Sequence, residues 1–215
     1  MGTCCWPAAR AAHAPAGTAG VTVRGLAAGD SLEDLTALLH RAFSRLGRLG
    51  LNCTCVDQPV EVTRRRIERG TCYVATSGER LAGTITLYAP DPSSDSVWYR
   101  RPDVASIHQF AVDPDFHGLG VGGALLQFAE DWAALRGYRE IALDMAQPAR
   151  HLLAYYMRNG YRYVESLRLE GKTYYSVVLS KALPAKAQAA GVVPLARRQA
   201  FRGRIPDASA GRTAS

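Results

Sequence analysis

The stretch of residues 107–136 constrains the fold of this 215-residue chain most strongly, because it reads as a strand, a loop, a glycine-rich turn and a helix in one uninterrupted run. Its β-branched and aromatic residues stop at Asp113 and Pro114, where proline removes a backbone donor, so the strand is predicted to end at about Val112. Beyond the glycines, apolar residues recur at helical spacing and predict a helix that ends near Arg136. Most of what the sequence indicates about function depends on this unit.

Four glycines lie at the predicted start of this helix: Gly118, Gly120, Gly122 and Gly123. The first turn of a helix leaves backbone N–H groups without intrahelical partners, and residues without a Cβ atom let an anion approach those donors closely. Such a terminus favours a phosphate or pyrophosphate ligand. The alternative is a flexible glycine-rich turn that happens to precede a helix.

The same glycines also fit the dinucleotide-binding pattern G-x-G-x-x-G, and Asp144 closes the next predicted strand about twenty residues further on. The context argues against a Rossmann turn. Residues 113–117 separate the strand from the first glycine, and too little chain follows for several more parallel βαβ units.

The run resembles motif A of the GNAT superfamily of N-acetyltransferases, in which a strand ending in hydrophobic-x-Val-Asp-Pro is followed by Gln/Arg-x-x-Gly-x-Gly/Ala at the start of a long helix. The corresponding segment here is residues 117–122, with His117 in place of the usual Gln or Arg. The resemblance implies that acetyl-CoA is the co-substrate and that no metal is used. It implies that main-chain N–H groups of Gly118, Leu119, Gly120, Val121, Gly122 and Gly123 bind the pyrophosphate. It further implies that the pantetheine arm pairs with the main chain of Phe110, Ala111 and Val112.

The remaining hydrophobic patterns predict the other elements of the fold. Strands are predicted at residues 21–26, 71–76, 80–88, 140–145, 161–167 and 173–179, and helices at 32–43, 59–69 and 151–159. Asp30 or Ser31 is the predicted N-cap of the first helix, and Gly47 and Gly50 are expected to end it. The resulting order, βααβββαβαββ, matches the GNAT arrangement, an α/β (α+β) fold with a mixed sheet that is splayed at its centre.

The acetyltransferase domain is predicted to span residues 21–180, between a flexible leader (1–20) and a basic, disordered tail (181–215). The net charge of +7 belongs almost wholly to the tail, which contains seven Lys and Arg residues against one Asp. A solubilising tail is therefore favoured over one that binds nucleic acid. In the second predicted helix, the charged run of residues 63–69 favours a solvated face over a binding patch.

The chain contains five cysteines, an odd number, and no secretory segment is recognised. Both observations favour a reducing, cytoplasmic location. Cys53 and Cys55 could supply two metal ligands, but no second pair at zinc-site spacing accompanies them, so free thiols are favoured. No run of 18 apolar residues is present, and a membrane-spanning helix is not expected.

A second family signature is Leu/Phe-Tyr-x-Lys-x-Gly-Phe on a later helix, and residues 155–161 resemble it. The resemblance places Tyr156 at the position of the Tyr that protonates the thiolate of coenzyme A. A phenol suits this role because its pKa, about 10, keeps it protonated at neutral pH. Packing between helix and sheet is the alternative role of these tyrosines. Ala149 stands where many members have a cofactor-binding Asn, so that contact is expected to be absent or made by the main chain.

Two residues are candidates for the general base. Asp144 matches the position of a Glu in the branch that acetylates ribosomal-protein N-termini, and His108 has an ordinary pKa suited to neutral pH. Asp144 could instead cap the turn at Pro148, and His108 could be a hydrogen-bonded core residue. Many relatives use an ordered water.

The expected reaction is direct transfer of an acetyl group from acetyl-CoA to a primary amine, which requires positioning and proton transfer but no covalent intermediate. The acceptor is a small-molecule amine or a peptide N-terminus, and the loops at residues 46–58 and 91–103 are expected to shape its site. A non-catalytic acyl-CoA-binding sensor of the same fold is the alternative. The oligomeric state, a homodimer included, is left open.

Overall fold

A computed structural model of the chain describes residues 20–184. The predicted leader, apart from Gly20, and the predicted tail from residue 185 onwards lie outside the described residues. The strands are β1 (Val21–Gly25), β2 (Thr71–Ser77), β3 (Arg80–Tyr88), β4 (Val104–Val112), β5 (Glu140–Ala146), β6 (Arg162–Leu167) and β7 (Ser176–Ala182). The helices are α1 (Leu32–Arg48), α2 (Val60–Glu68), α3 (Val121–Leu135) and α4 (Arg150–Arg158), and short 3₁₀ turns occur at Thr54–Val56 and Pro114–Phe116. This order confirms the predicted one.

Seven strands form one mixed sheet in the order β1-β2-β3-β4-β5-β7-β6. Every neighbouring pair is antiparallel except β4 and β5, which are parallel. Parallel neighbours require a crossover connection, and α3 supplies it. The start of α3 is thereby placed at the carboxyl end of β4.

The sheet is splayed at its centre. β4 and β5 pair only from Val104 to Ile107 with Glu140 to Leu143, and the five remaining residues of β4 have no partner in β5. On the other side of β4 the register with β3 shifts between Thr84 and Thr86. Such a bulge bends a strand and increases its twist. The diverging carboxyl ends of β4 and β5 therefore leave a cleft lined by main-chain groups.

Helix α1 begins as predicted, because Ser31 accepts a hydrogen bond from the N–H of Asp34. It does not end at Gly47, however, but continues to Arg48. A Cβ atom at Gly47 would lie 2.8 Å from Cγ1 of Val56. The glycine therefore allows the 3₁₀ turn that contains Val56 to pack closely on the helix.

Helix α3 packs on β3 over a glycine. A Cβ atom at Gly83 would lie 2.8 Å from the main-chain oxygen of Ala111 and 2.9 Å from Cδ1 of Leu125. Leu125, Ala129 and Ala133 are fully buried along this face of the helix. This contact positions the first turn of α3 next to the end of β4.

Strand β7 extends two residues beyond the predicted domain boundary at residue 180. Lys181 lies in this strand and pairs with Glu130 of α3, with Nζ 2.7 Å from Oε2. The strand continues because Lys181 pairs with Ile141 and Ala182 with Glu140 in β5.

Candidate active site

The turn before α3 presents main-chain donors that have no acceptor within residues 20–184. Gly118 and Gly120 have φ angles of 78° and 80°, in the left-handed region that favours glycine. The first regular bond of the helix runs from the N–H of Ala124 to the oxygen of Gly120, 3.0 Å. The unbonded N–H groups belong to Gly118, Gly120, Val121, Gly122 and Gly123, whereas Leu119 donates a long bond, 3.4 Å, to Phe116. Five of the six predicted donors are thus free to bind an anion.

Two of these glycines have free space on the side where a side chain would stand. Beyond the local backbone, no heavy atom lies within 4 Å of the position that a Cβ atom would occupy at Gly118 or Gly123. At Gly122 the nearest atoms would be the hydroxyl of Tyr155 at 3.2 Å and Cγ2 of Val112 at 3.5 Å. Gly122 therefore lies where the helix start, β4 and α4 approach one another.

The end of β4 exposes alternate main-chain groups to the cleft. Asp113 donates its N–H to Ala82 in β3, 3.0 Å away, and Ala111 is the partner of Thr84 in the same ladder. Because main-chain groups alternate in direction along a strand, those of Phe110 and Val112 point to the open edge, while those of Ala111 point to β3. The oxygen of Val112 is 3.2 Å from Nε2 of His117.

An ion pair holds the turn between β4 and α3. Asp113 is buried and its Oδ2 accepts from Nε and Nη2 of Arg41 in α1, at 2.9 and 2.6 Å. Burial alone would raise the pKa of Asp113, but the bonds from Arg41 and from the N–H of Asp115 hold that pKa below its ordinary value. A charged, immobilised carboxylate thus fixes the chain immediately before the glycine turn.

Tyr156 lies on α4 beside the cleft, and its ring is buried among aromatic side chains. The ring centroids of Phe110, Tyr155 and Tyr161 lie at 6.4, 5.3 and 5.8 Å. The Tyr156 hydroxyl has no hydrogen-bond partner within residues 20–184, yet it is not among the fully enclosed polar atoms. Burial raises the pKa of Tyr156 above its ordinary value, so the phenol is protonated at neutral pH.

Asp144 lies on β5, beyond the last residue that pairs with β4. Its Oδ1 accepts a hydrogen bond from the hydroxyl of Tyr99, 3.1 Å away in the 91–103 loop. Burial raises the pKa of Asp144, and the hydrogen bond from Tyr99 together with the positive charges of Arg66 and Lys172 opposes that rise. The structure thus brings Asp144 and Tyr156 to the same cleft, where the charge on Asp144 raises the pKa of Tyr156.

His108 lies on β4 just past the last residue that pairs with β5. Its ring stacks on Tyr88 with centroids 4.0 Å apart, and Nε2 lies 2.9 Å from Oγ of Ser106. Burial, with the charges of Arg66 and Arg69, lowers the pKa of His108 to about 3. The imidazole is therefore neutral at physiological pH and a weak base.

Gln109 carries the bulge, and the sequence gives no signal for it. Its φ of 46° is the one left-handed value for a non-glycine residue in the described part of the chain. The side chain is buried, and its Nε2 has no hydrogen-bond partner there. Backbone strain of this kind persists where the surrounding structure imposes it, often at functional sites.

Two loops that are far apart in sequence are joined by a bridge of hydrogen bonds. Asn52 donates to the oxygen of Gly171 at 2.7 Å and accepts from the N–H and hydroxyl of Thr173, both at 3.1 Å. Lys172 donates to the oxygen of Asn52 and to Oγ1 of Thr54, at 2.8 and 2.9 Å. We call this bridge, residues 52–54 with 171–173, the roof. The 46–58 loop, which is expected to shape the acceptor site, is thus joined to the β6–β7 loop, which was not among the loops predicted there.

The cysteines of the described region are buried thiols. Cys53, Cys55 and Cys72 are free, and burial raises the pKa of each. Within residues 20–184, no three His, Cys, Asp or Glu side chains cluster in a way that could hold a metal ion. None of the helices in that range is long and apolar enough to cross a membrane.

Comparisons with known proteins agree with this geometry. Residues 33–161 match the family described as "Acetyltransferase (GNAT) family". The chain is 31% identical over 158 residues to an S-(2-succino)cysteine N-acetyltransferase of Bacillus subtilis, covering 70% of this chain and 90% of that protein. It is 29% identical over 141 residues to an uncharacterised N-acetyltransferase, YesJ, of the same organism, covering 63% and 78%.

Solved structures share the fold at low sequence identity. A GNAT family acetyltransferase from Elizabethkingia anophelis with acetyl-CoA bound superposes with a TM-score of 0.56 at 19% identity, over 76% of this chain and 99% of that one. The ribosomal-protein-S18-alanine N-acetyltransferase of Escherichia coli gives 0.58 at 17% identity, over 79% and 97%.

Proposed function

Since this chain belongs to the GNAT family of acetyltransferases, we propose that it acetylates a small-molecule amine by direct attack of the amine on acetyl-CoA, with Tyr156 as the general acid. The chain is an acyltransferase, and acetyl-CoA is its co-substrate. Among the predicted cofactor residues, those whose main-chain groups are free are proposed to bind that co-substrate: Phe110 and Val112 at the open edge of β4, and Gly118, Gly120, Val121, Gly122 and Gly123 at the start of α3. Ala111 pairs with Thr84 in β3 and Leu119 donates to Phe116, so these two are not assigned such a contact.

One observation carries the proposal. Five N–H groups at the start of α3, unbonded within residues 20–184, follow a strand that has an open edge. Phe110 of that strand has its ring centroid 6.4 Å from that of Tyr156, whose hydroxyl has no partner in the same range. A helix start of this kind suits a diphosphate, and an open strand edge suits an extended amide-containing arm. The two together support a thioester that reaches from the glycine turn into the splayed cleft.

In the proposed reaction the neutral amine attacks the thioester carbonyl carbon, and the carbon–sulfur bond breaks as the new carbon–nitrogen bond forms. Tyr156 gives its proton to the departing thiolate. Burial keeps this phenol protonated, and the same burial disfavours an uncompensated thiolate beside it.

We propose Asp144, rather than His108, as the base that removes a proton from the amine. The raised pKa of Asp144 makes it a better proton acceptor than an ordinary carboxylate, whereas the pKa of His108, about 3, makes that imidazole a weak one. The hydrogen bond from Tyr99 orients the carboxylate. Tyr156 gives a second proton to the thiolate, so the reaction releases neutral amide and free thiol. The proton held by Asp144 then passes to the tyrosinate through solvent, which restores both groups.

The roof supports a small acceptor rather than a folded protein. Hydrogen bonds join Asn52 to Gly171 and Thr173, and Tyr174 donates its hydroxyl to Sγ of Cys53, 3.2 Å away. These contacts lie close to Asp144, whose charge raises the pKa of both Cys53 and Tyr174. The similarity to a Bacillus subtilis enzyme named for S-(2-succino)cysteine supports an amino-acid-like amine.

A thiol-release assay tests the proposal. Purified chain is incubated with acetyl-CoA and a panel of small amines, amino acids and peptide N-termini, and acetylated products are identified by mass spectrometry. We expect amine-dependent release of coenzyme A with at least one small amine. Tight binding of acetyl-CoA with no transfer to any member of the panel would contradict the proposal and favour a non-catalytic acyl-CoA sensor.

A further inference from the structure

Arg66 of α2 lies close enough to the cleft for its charge to act on Asp144 and His108. Its Nη1 donates to Oε1 of Gln58 at 3.0 Å and to Sγ of Cys55 at 3.2 Å, which fixes the half-buried guanidinium. Its main-chain oxygen accepts from the hydroxyl of Tyr88, whose ring stacks on His108. The guanidinium is therefore held beside the strand that carries the reaction cleft.

This guanidinium has no carboxylate partner within residues 20–184, although many other arginines there do. Carboxylates lie within ion-pair distance of Arg24, Arg41, Arg69, Arg80, Arg101 and Arg162. Nε and Nη2 of Arg66 donate to no acceptor in the described residues. A partly desolvated positive charge without a counter-ion is unfavourable, and the Nε–Nη2 edge is the side of a guanidinium that binds a carboxylate in a bidentate manner.

The charge of Arg66 acts on the candidate catalytic groups. It lowers the pKa of Asp144, on which Lys172 of the roof has the same effect, and it lowers the pKa of His108. Two cations thus act on the acceptor side, which disfavours an acceptor with several ammonium groups and favours one that carries negative charge.

We propose that the Nε–Nη2 edge of Arg66 binds a carboxylate of the acceptor, so that the acceptor is an amine that also bears a carboxylate. This assignment rests on the proposed acetyl transfer. It makes Arg66 a residue that binds substrate and determines specificity, and it places an amino acid or a carboxylated derivative, rather than an aminoglycoside or polyamine, in the cleft.

The test compares S-carboxymethylcysteine with two analogues in which one or the other carboxylate is replaced by a carboxamide. Wild type, Arg66→Met and Arg65→Met are assayed for kcat/KM with each compound at saturating acetyl-CoA. Arg65 is an exposed neighbour on the same helix and controls for the loss of one positive charge from α2. Thermal unfolding with and without acetyl-CoA checks that each variant folds and binds the co-substrate.

In the wild type we expect one of the carboxamides to be used about 10- to 100-fold less efficiently than its parent, as for loss of a charge-assisted hydrogen bond. Arg66→Met is expected to abolish that preference by losing activity towards the carboxylate, and Arg65→Met is expected to retain it. A carboxylate preference that is equal in wild type and Arg66→Met, or no preference in the wild type, would overturn the assignment and leave acetyl transfer intact. Failure of the wild type to acetylate any amine while it binds acetyl-CoA would overturn both.

Discussion

Replacing Tyr156 by Phe removes one hydroxyl from the proposed machinery and leaves the rest of the ring in place. The ring is packed among Phe110, Tyr155 and Tyr161, and the hydroxyl has no hydrogen bond within residues 20–184. Because no partner is left unsatisfied, we expect the free energy of unfolding to change by less than about 1 kcal/mol. Any large effect on turnover then belongs to the chemistry.

The expected loss is that of a general acid, about 10²- to 10⁴-fold in the rate of acetyl transfer. This corresponds to roughly 3 to 5 kcal/mol of transition-state stabilisation at 1.36 kcal/mol per factor of ten. Affinity for acetyl-CoA is expected to change little, because the proposed pyrophosphate contacts are made by main-chain groups at the start of α3. In the wild type the burial-raised pKa predicts that Tyr156 stays protonated across the neutral range.

Single-turnover rates, measured by rapid quench with enzyme in excess over acetyl-CoA, prevent slow product release from masking the effect. Titration calorimetry measures acetyl-CoA binding separately. Tyr161→Phe is the matched control, because it removes a hydroxyl that is enclosed without a hydrogen bond on a ring 5.8 Å from that of Tyr156. If the Tyr156 variant transfers acetyl groups as fast as wild type, the thiolate does not take its proton from this phenol.

Three further perturbations probe the base, the packing of α3 and the pH dependence. Asp144→Asn should lower kcat/KM by about 10²- to 10⁴-fold. In the wild type, kcat/KM should fall at acid pH as Asp144 becomes protonated below its raised pKa, and the variant should lack this fall. If the variant keeps the fall in its pH–rate profile, another group is responsible for it. Gly83→Ala would place a Cβ atom 2.9 Å from Cδ1 of Leu125 and should lower the free energy of unfolding by about 1–3 kcal/mol in urea titrations, whereas an unchanged midpoint would show that α3 can shift without cost. The hydrogen-bonded ion pair with Arg24 lowers the pKa of Asp30 to about 2. The ion pair therefore stabilises the fold fully above about pH 4, and this stabilisation is lost as the pH falls towards 2. Arg24→Met should therefore destabilise at pH 7 by an amount that shrinks below pH 4, and a pH-independent difference would contradict this linkage.

Local patterns in the sequence were sufficient for the order of the elements and for the central unit. The end of β4 at Val112 follows from Asp113 and Pro114. An N-cap at Asp30 or Ser31 follows from polar residues before a periodic apolar run, and the structure selects Ser31. The turn before α3 follows from its glycines, and the structure adds that Gly118 and Gly120 have left-handed backbone. Each of these features is decided by residues close together in the chain.

Features that depend on distant contacts could not be predicted. Gln109 has no compositional signal for a left-handed backbone, because the bulge arises from the register between β3 and β4. The roof joins Asn52 to Thr173, which lie 121 residues apart. Arg66 belongs to a charged run that was interpreted as a solvated face, and only the fold shows that it is half-buried beside the cleft while Arg65 is exposed.

The most direct test of the account is whether the backbone amides at the start of α3 bind the diphosphate of acetyl-CoA. In ¹⁵N-labelled protein, the amide resonances of Gly118, Gly120, Gly122 and Gly123 can be followed during titration with acetyl-CoA and with acetyl-pantetheine, which lacks the diphosphate. The account predicts large shifts of these four resonances with acetyl-CoA and small ones with acetyl-pantetheine. Equal responses to the two ligands, or no response at these glycines while acetyl-CoA binds elsewhere, would contradict it.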